Sequence, residues 1–333
     1  MILVTGGTGL VGGNLLWHLL QENDKVTAIR RSTSKIESLR TIFSFYTTTP
    51  ERFLERIDWI VADVLDENSI LKAMTHATIV YHCAAMVSLG NNDDILQHTN
   101  VIGTRNIVNA CIQNNINKLC FVSSIAACGK SIIGEHIDEN SFWEDSSIQS
   151  TYSRSKYYSE QEVWKGIQKG LNAVIVNPGV ILGVSGSNAG SSKLFSQIQK
   201  GMIFYTLGGS GYVDVQDVVK VMIQLTNSSI SRERFILVAE NCSNKDILNW
   251  IADGFKKNHP FIRVGKRALW AVGIVSEFFG KLFNFQPLID RGTAKSAINR
   301  NYYSSKKITN SISYKFTPVK DCIKDVCLYL SNE

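Results

Sequence analysis

Ile2-Leu3-Val4-Thr5-Gly6-Gly7-Thr8-Gly9-Leu10-Val11-Gly12 is the stretch on which the reading of the fold turns. Strand-forming residues run into glycines at positions 6, 9 and 12, and these open an apolar segment, 12–21, with helical periodicity. A turn this tight favours residues without a Cβ, which let the backbone come close to a bound group. The helix start beyond it offers unpaired N–H groups and a partial positive charge, a suitable seat for a pyrophosphate. The spacing of Gly6, Gly9 and Gly12 is G-x-x-G-x-x-G, and such glycines occur in many turns. The strand before and the helix after identify a phosphate-binding turn of dinucleotide type, lined by Thr8, Leu10 and Val11 as well.

The same alternation continues. Short β-branched runs predict strands at 2–5, 25–29, 57–61, 79–82, 118–123 and 173–177, with helical patterns at 68–75, 100–114 and 152–169. Apolar strands alternating with helices imply a parallel sheet covered on both faces. Between the second and third strands, Thr49-Pro50-Glu51 predicts a helix start, with Thr49 as cap and Pro50 at the first helical position. After Pro178 the rhythm breaks into a small, polar stretch, 184–192, expected to be a mobile loop. A strand and helix return at 212–225, and a strand at 234–238. The tail from Cys242 reads as mostly helical and aromatic: Trp250, Phe255, Phe261, Trp270, Phe278, Phe279, Phe283, Phe285.

The expected architecture is therefore α/β, a Rossmann-type doubly wound parallel sheet with a smaller, mostly helical C-terminal substrate lobe. Residues 1–178 plus about 211–240 make the dinucleotide-binding domain, and 179–210 plus about 241–333 make the lobe that closes over the cleft.

Composition narrows the function classes. Of 333 residues, 44% are hydrophobic and 19% charged, and the net charge of +6 comes without a long basic run, which argues against a nucleic-acid partner. The seven cysteines are odd in number and lack C-x-x-C spacing, so reduced thiols in a cytoplasmic protein are expected, with no disulfide frame and no metal site. No basic leader precedes the strand at Met1-Ile2-Leu3-Val4. The most apolar stretch, 268–275, is far shorter than the ~20 residues of a transmembrane span.

Tyr152-Ser153-Arg154-Ser155-Lys156 puts a phenol and an ammonium four residues apart, on one helix face. A free phenol titrates near ~10. A neighbouring ammonium is expected to lower that value and allow proton exchange with a carbonyl or an alcohol. The pattern recurs at Tyr302–Lys306 and Tyr303–Lys307, but those pairs lie far from the glycine turn and are read as structural. Ser124, at the end of the fifth strand, is the third candidate, at the carboxyl edge where ligands sit in such sheets. Ser123 is the neighbour with which it is confused most easily. His82 and Cys128 are read as core or wall residues, since no Cys-His arrangement at meaningful spacing exists.

The second strand ends Ala28-Ile29-Arg30-Arg31-Ser32, where an NAD-selective site usually carries an acid for the ribose 2′-hydroxyl. Arginine there suits the 2′-phosphate of NADP(H), with Lys35 as a second charge, so NADP(H) is expected over NAD(H).

Thr5-Gly6-Gly7-Thr8-Gly9-Leu10-Val11-Gly12, together with the Tyr152 and Lys156 motif, resembles the extended short-chain dehydrogenases/reductases, the NAD-dependent epimerase/dehydratase family. The resemblance implies that Asp63 and Val64 contact adenine and that Cys83, Ala84, Ala85, Val122, Pro178, Gly179 and Val180 line the cofactor. It also implies that Lys156 holds the nicotinamide ribose and that Asn100 opens the following helix. Tyr302-Tyr303-Ser304-Ser305-Lys306-Lys307 resembles a late Tyr-Asp-x-Ser-Lys element of the family.

Sugar-nucleotide members tend to carry Arg-x-x-Asn after the sixth strand and an arginine before a later one. Here Asn177, Val180 and Ser210 stand at those positions, and Ile125 and Ala126 stand where a dehydratase would want an acid. Val176-Asn177-Pro178 with Leu182-Gly183 is similar to the dihydroflavonol/cinnamoyl-CoA/aldehyde reductase branch. The expectation is an NADP(H)-dependent oxidoreductase acting on an aldehyde, ketone or alcohol of a small apolar substrate. The alternatives are a nucleotide-sugar epimerase or dehydratase using the same triad, and a non-catalytic NADP(H)-sensing protein. Relatives dimerise through the helices at 100–114 and 152–169, which leaves a homodimer open.

Overall fold

The computed structural model describes residues 1–34, 36–87, 93–130, 136–145, 149–186, 190–265 and 299–332. Its strands run β1 (Ile2–Thr5), β2 (Val26–Arg30), β3 (Ile57–Val61), β4 (Ile79–His82), β5 (Lys118–Val122), β6 (Ala173–Pro178), β7 (Val180–Leu182), β8 (Phe204–Tyr205), β9 (Gly209–Asp214), β10 (Glu233–Leu237), β11 (Glu240–Ser243) and β12 (Ile262–Arg263). The helices are α1 (Leu10–Glu22), α2 (Glu37–Ser44), α3 (Glu51–Leu54), α4 (Glu67–Ala73), α5 (Asp93–Gln113), α6 (Thr151–Gln168), α7 (Ser192–Gln199), α8 (Val215–Asn227) and α9 (Asn244–Gly254), then α10 (Lys306–Ile312) and α11 (Val319–Leu330) near the C-terminus.

Seven strands form one parallel sheet in the order β10-β6-β5-β4-β1-β2-β3. Alternation decides which side chain goes where. Val4, Tyr81, Cys120 and Val174 face a core shared with α1, α2 and α8, while Leu3, Val80, Leu119 and Ala173 face one shared with α4, α5 and α6. From β1 the chain winds outward to β2 and β3, then returns to the other side of β1 for β4, β5 and β6. That reversal opens a crevice at the carboxyl ends of β1 and β4, where ligands bind in such sheets.

A second cluster gathers around the three-stranded sheet β11-β9-β7, with Phe195, Ile251, Ile323 and Val326 buried in it. Trp250 and Phe255 pack against this cluster. Trp270, Phe278, Phe279, Phe283 and Phe285 lie outside the described residues, as does the apolar stretch 268–275. Among the described residues no helix is long and apolar enough to cross a membrane.

Local expectations differ in three places. The long β2–β3 connection contains α2, held by an aromatic cluster in which Trp17 stacks on Tyr46 with centroids 4.9 Å apart. Thr49 does not cap the following helix: its hydroxyl pairs with that of Thr47, and Pro50 supplies the carbonyl that receives the first helical amides. Asn100 does not open a helix but sits inside α5. Within the stretch expected to be a loop, Ser191 donates to the Ile181 carbonyl and a Cβ at Gly186 would overlap the Ser38 backbone, while 187–189 lie outside the described residues.

Candidate active site

The glycine turn is closed by the Gly9 amide donating to the Gly6 carbonyl at 3.0 Å. Gly6 has φ +68°, and a Cβ there would sit 2.6 Å from the Ala84 nitrogen, so only glycine fits between β1 and the end of β4. A Cβ at Gly12 would lie 2.7 Å from the Gly6 carbonyl carbon, which lets α1 start hard against the turn. No side chain caps α1, and its first turn carries no acid. The first amides of a helix have no partner within it. The α1 start is thus a donor-rich cradle for an anion, and Thr8, Leu10 and Val11 belong to it.

Around this cradle the strand ends converge. The Cys83 amide donates to the Thr5 carbonyl and the Ala84 amide to the Thr5 hydroxyl, fixing Cys83-Ala84-Ala85 beside the glycine turn. The Asp63 carboxylate receives the Leu65 amide at 3.0 Å, and the Val64 carbonyl receives the Asn106 side chain. Gly179 donates to the Leu237 carbonyl, and a Cβ on it would lie 2.8 Å from the Gly211 carbonyl carbon. Pro178 ends β6 and Val180 begins β7 at the same edge of the sheet. At the end of β2, Arg30 is half-buried, and its Nε is enclosed without a hydrogen-bond partner among the described residues. Arg31 is exposed, and Lys35 lies outside the described residues.

Tyr152 and Lys156 project from successive turns at the start of α6, where Ser150 caps the helix by accepting the Ser153 amide at 3.1 Å. The Tyr152 phenol is hydrogen-bonded to the Ser124 side chain. Lys156, buried, donates through Nζ to the Val122 carbonyl at 3.0 Å and stands 5.6 Å over the Phe121 ring. The structure thus brings Ser124, Tyr152 and Lys156 together at the end of β5. Ser124 also caps the short 3₁₀ turn 125–127 by accepting the Ala126 amide at 3.1 Å. Ser123 points the other way: its hydroxyl donates to the buried Glu160 carboxylate at 2.6 Å.

Electrostatics depart from the sequence-based expectation. Burial pushes the Tyr152 phenol above its ordinary value, and the Ser124 hydrogen bond pulls it back in part. The Lys156 ammonium, turned toward the Val122 carbonyl, is not what sets it. Burial lowers Lys156 itself to about 8, against opposing attraction from Glu160 and Cys83.

Other candidates take structural places. His82 is buried between the Thr5 hydroxyl at 2.8 Å and the Thr104 hydroxyl at 3.1 Å, and burial pushes it down to about 3. Cys128 is buried in a small cluster with Ile137 and Tyr303. The late tyrosine–lysine pairs serve as a strap. Ser305 exchanges hydrogen bonds with the Val238 backbone, the Tyr303 amide donates to Asn241, and Lys307 pairs with Glu233. Asn100 bridges loop and helix, bonding both backbone groups of Met86 and the Ser155 hydroxyl.

Sequence reasoning missed a buried network behind the triad. Glu160, fully buried, accepts from Ser123, from Asn177 and, at 3.3 Å, from Arg234 on β10. One signal was available: Glu160 stands four residues after Lys156, on the same helix face.

The family model for the NAD dependent epimerase/dehydratase family matches residues 2–237. This chain belongs to the NAD-dependent epimerase/dehydratase family. It is an NAD(P)-dependent enzyme of the extended short-chain dehydrogenase/reductase type. Among members of the family, the provisionally named dihydroflavonol 4-reductase of Synechocystis sp. is 28% identical over 342 residues, covering 99% of this chain and 94% of its own. Cinnamoyl-CoA reductase 1 of Petunia hybrida is 24% identical over 337 residues, covering 97% and 90%. The crystal structure of gox2253 superposes with a TM-score of 0.81 at 26% identity, covering 100% of this chain and 98% of that one. The UDP-glucose 4-epimerase of Thermotoga maritima gives 0.78 at 16% identity, covering 99% and 98%, a likeness of fold.

Proposed function

We propose that this family member is an NADP(H)-dependent carbonyl reductase, interconverting an aldehyde or ketone and its alcohol on a small apolar substrate. The reading rests above all on the Tyr152 phenol bonded to Ser124, one helical turn from Lys156 and across the crevice from the glycine turn. When bound, the nicotinamide ring supplies the hydride that adds to the carbonyl carbon. Ser124 donates a hydrogen bond to the carbonyl oxygen and holds it against Tyr152, which delivers its hydroxyl proton to that oxygen. A phenol lifted by burial holds this proton at neutral pH and so has it to give. Lys156, one turn along α6, is the ammonium from which the phenolate recovers a proton.

Preference for NADP(H) rests on Arg30, whose Nε has no hydrogen-bond partner among the described residues and whose charge suits a 2′-phosphate, and on the absence of an acid at the end of β2. Choice of a reductase over a sugar-nucleotide enzyme rests on Asn177, Val180 and Ser210. The Asn177 amide group is turned into the core toward Glu160 and the Ser124 carbonyl, so it offers a diphosphate nothing. The names of the Synechocystis and Petunia relatives point the same way. The test is to follow NADPH absorbance against a panel of aldehydes, ketones and UDP- or dTDP-sugars. Oxidation of NADPH by apolar carbonyl compounds is expected; conversion of the sugar nucleotides alone overturns the reading.

A further inference from the structure

Glu160 stands one turn beyond Lys156 on α6, and both are buried. Residues at this spacing lie ~5–6 Å apart between Cβ atoms. Its carboxylate is saturated from three elements. Ser123 on the loop after β5 and Asn177 on β6 donate to Oε1, and Arg234 on β10 donates to Oε2 at 3.3 Å. Asn177 donates as well to the Ser124 carbonyl at 2.9 Å. Arg234 is held in turn by the Glu139 carbonyl, while the Glu139 carboxylate accepts the Ile236 amide at 2.7 Å. The bonds from Ser123 to Glu160 and from Asn177 to the Ser124 carbonyl reach the segment that carries Ser124, and Glu160 itself shares α6 with Tyr152 and Lys156.

As a device for stability alone such a pair is poor, because taking two charges out of water costs about as much as their attraction returns. Its location gives it a different use. Lys156 is a buried ammonium, and the titratable groups that interact with it are Glu160 on α6 with His82 and Cys83 at the end of β4. Glu160 in turn faces Arg234 on β10, Cys128 after the 3₁₀ turn, and Lys156. Of the groups around Lys156, Glu160 is the carboxylate. Burial raises the Glu160 carboxyl above its ordinary value, Arg234 and the Ser123 and Asn177 hydrogen bonds pull it back, and the carboxylate acts on Lys156.

We propose that Glu160 is a positioning residue of the site: a buried carboxylate, matched from behind by Arg234, that gives Lys156 its counter-charge and ties down the strand end bearing Ser124. The proposal rests on the carbonyl-reductase reading for its effect on turnover, but the electrostatic half stands without it. Removing the carboxylate leaves the buried Lys156 with the Val122 carbonyl and the Phe121 ring but without its carboxylate counter-charge. The ammonium then titrates at lower pH, and the alkaline limb of activity moves with it.

The experiment uses the full-length protein with ¹³C-labelled lysine, reading the Lys156 ε-carbon resonance, assigned by its loss in Lys156→Arg. In Glu160→Gln the Lys156 midpoint is expected to fall by about one pH unit or more, the size expected for losing one close opposite charge. Glu160→Asp, which keeps the charge, is expected to bring it back to within about half a unit of the wild type. The double variant Glu160→Gln/Arg234→Met removes both charges of the pair and leaves no buried guanidinium unmatched, so it keeps the test open if the single variant does not fold. In Glu160→Gln and the double variant kcat for carbonyl reduction at pH 8 is expected to fall about fivefold with KM little changed, since a midpoint moved from about 8 to about 7 takes the protonated fraction from about one half to about one tenth. A folded Glu160→Gln or double variant whose Lys156 midpoint stays at the wild-type value overturns the proposal. The resonance needs no substrate. A shifted midpoint with no carbonyl turnover in the wild type therefore sinks the reductase reading and leaves the counter-charge standing.

Discussion

Ser123 and Ser124 are neighbours at the end of β5, yet their hydroxyls face opposite ways: Ser123 into the core toward Glu160, Ser124 into the crevice toward Tyr152 and the Ala126 amide. The chain leaves the sheet between them, so one peptide links the buried network to the reacting end of the cleft. Their substitutions should therefore fail differently. Ser124→Ala is expected to lower kcat by about a hundredfold or more, the loss typical of one donor to a developing oxyanion, with little change in melting temperature. Ser123→Ala is expected to destabilise the fold by about 1.5–3 kcal/mol, as it deletes a hydrogen bond to a buried charge. Steady-state kinetics and urea unfolding of the two variants side by side read the contrast.

Tyr152→Phe removes the proton donor and leaves a ring of nearly the same shape. Turnover should drop by about a hundred- to ten-thousand-fold, while NADPH binding followed by fluorescence stays within a few fold of the wild type. Near-normal turnover in this variant means that another group supplies the proton.

Arg30→Asp exchanges a cation at the end of β2 for the acid of an NAD-type site. The Kd for NADPH should rise about ten- to a hundredfold, the equivalent of one charge-assisted hydrogen bond, with the Kd for NADH unchanged or improved. Calorimetric titration with both nucleotides decides the matter. An unchanged NADPH affinity removes Arg30 from the cofactor site.

Lys156 also sets a dependence of stability on pH. Its folded-state value is depressed to about 8 by burial. Between that value and the ~10.4 of an unfolded lysine, the unfolded chain binds more protons, so this group makes stability rise with pH across the interval. Below about 8 the full cost of burying an ammonium is present. The unfolding free energy of the wild type relative to Lys156→Met should accordingly increase by about 3 kcal/mol between pH 7.5 and 10.5. A flat or falling difference contradicts the depressed value.

The parts legible in the sequence are those written by local rules. Gly6 and Gly12 follow from steric demands within a single turn, and the strands from alternation that two covered faces impose. The arrangement of Ser124, Tyr152 and Lys156 follows from helix spacing and the end of one strand. What escaped notice was non-local. Helix α2 is amphipathic only over a short stretch, and its Phe43 packs on Trp17 of α1, across the intervening strand β2. Glu160 and Arg234 are 74 residues apart, and no periodicity announces that a helix and the last sheet strand will meet there. The lifted value of Tyr152 likewise depends on enclosure of its hydroxyl, which pattern alone does not report.

Because β10 closes the edge of the sheet beside β6, the cation matched to Glu160 leaves the ribosome long after the carboxylate itself. A nascent chain that has just completed β6 already has the glycine turn and every residue of the triad. It carries them around an acidic hole, and burying that hole without its guanidinium is costly. Maturation of the cleft must therefore wait for Arg234, and for the strap at 303–307 that fastens its strand. Any shortened form ending before that point inherits the chemistry's residues without the charge balance that lets them close together.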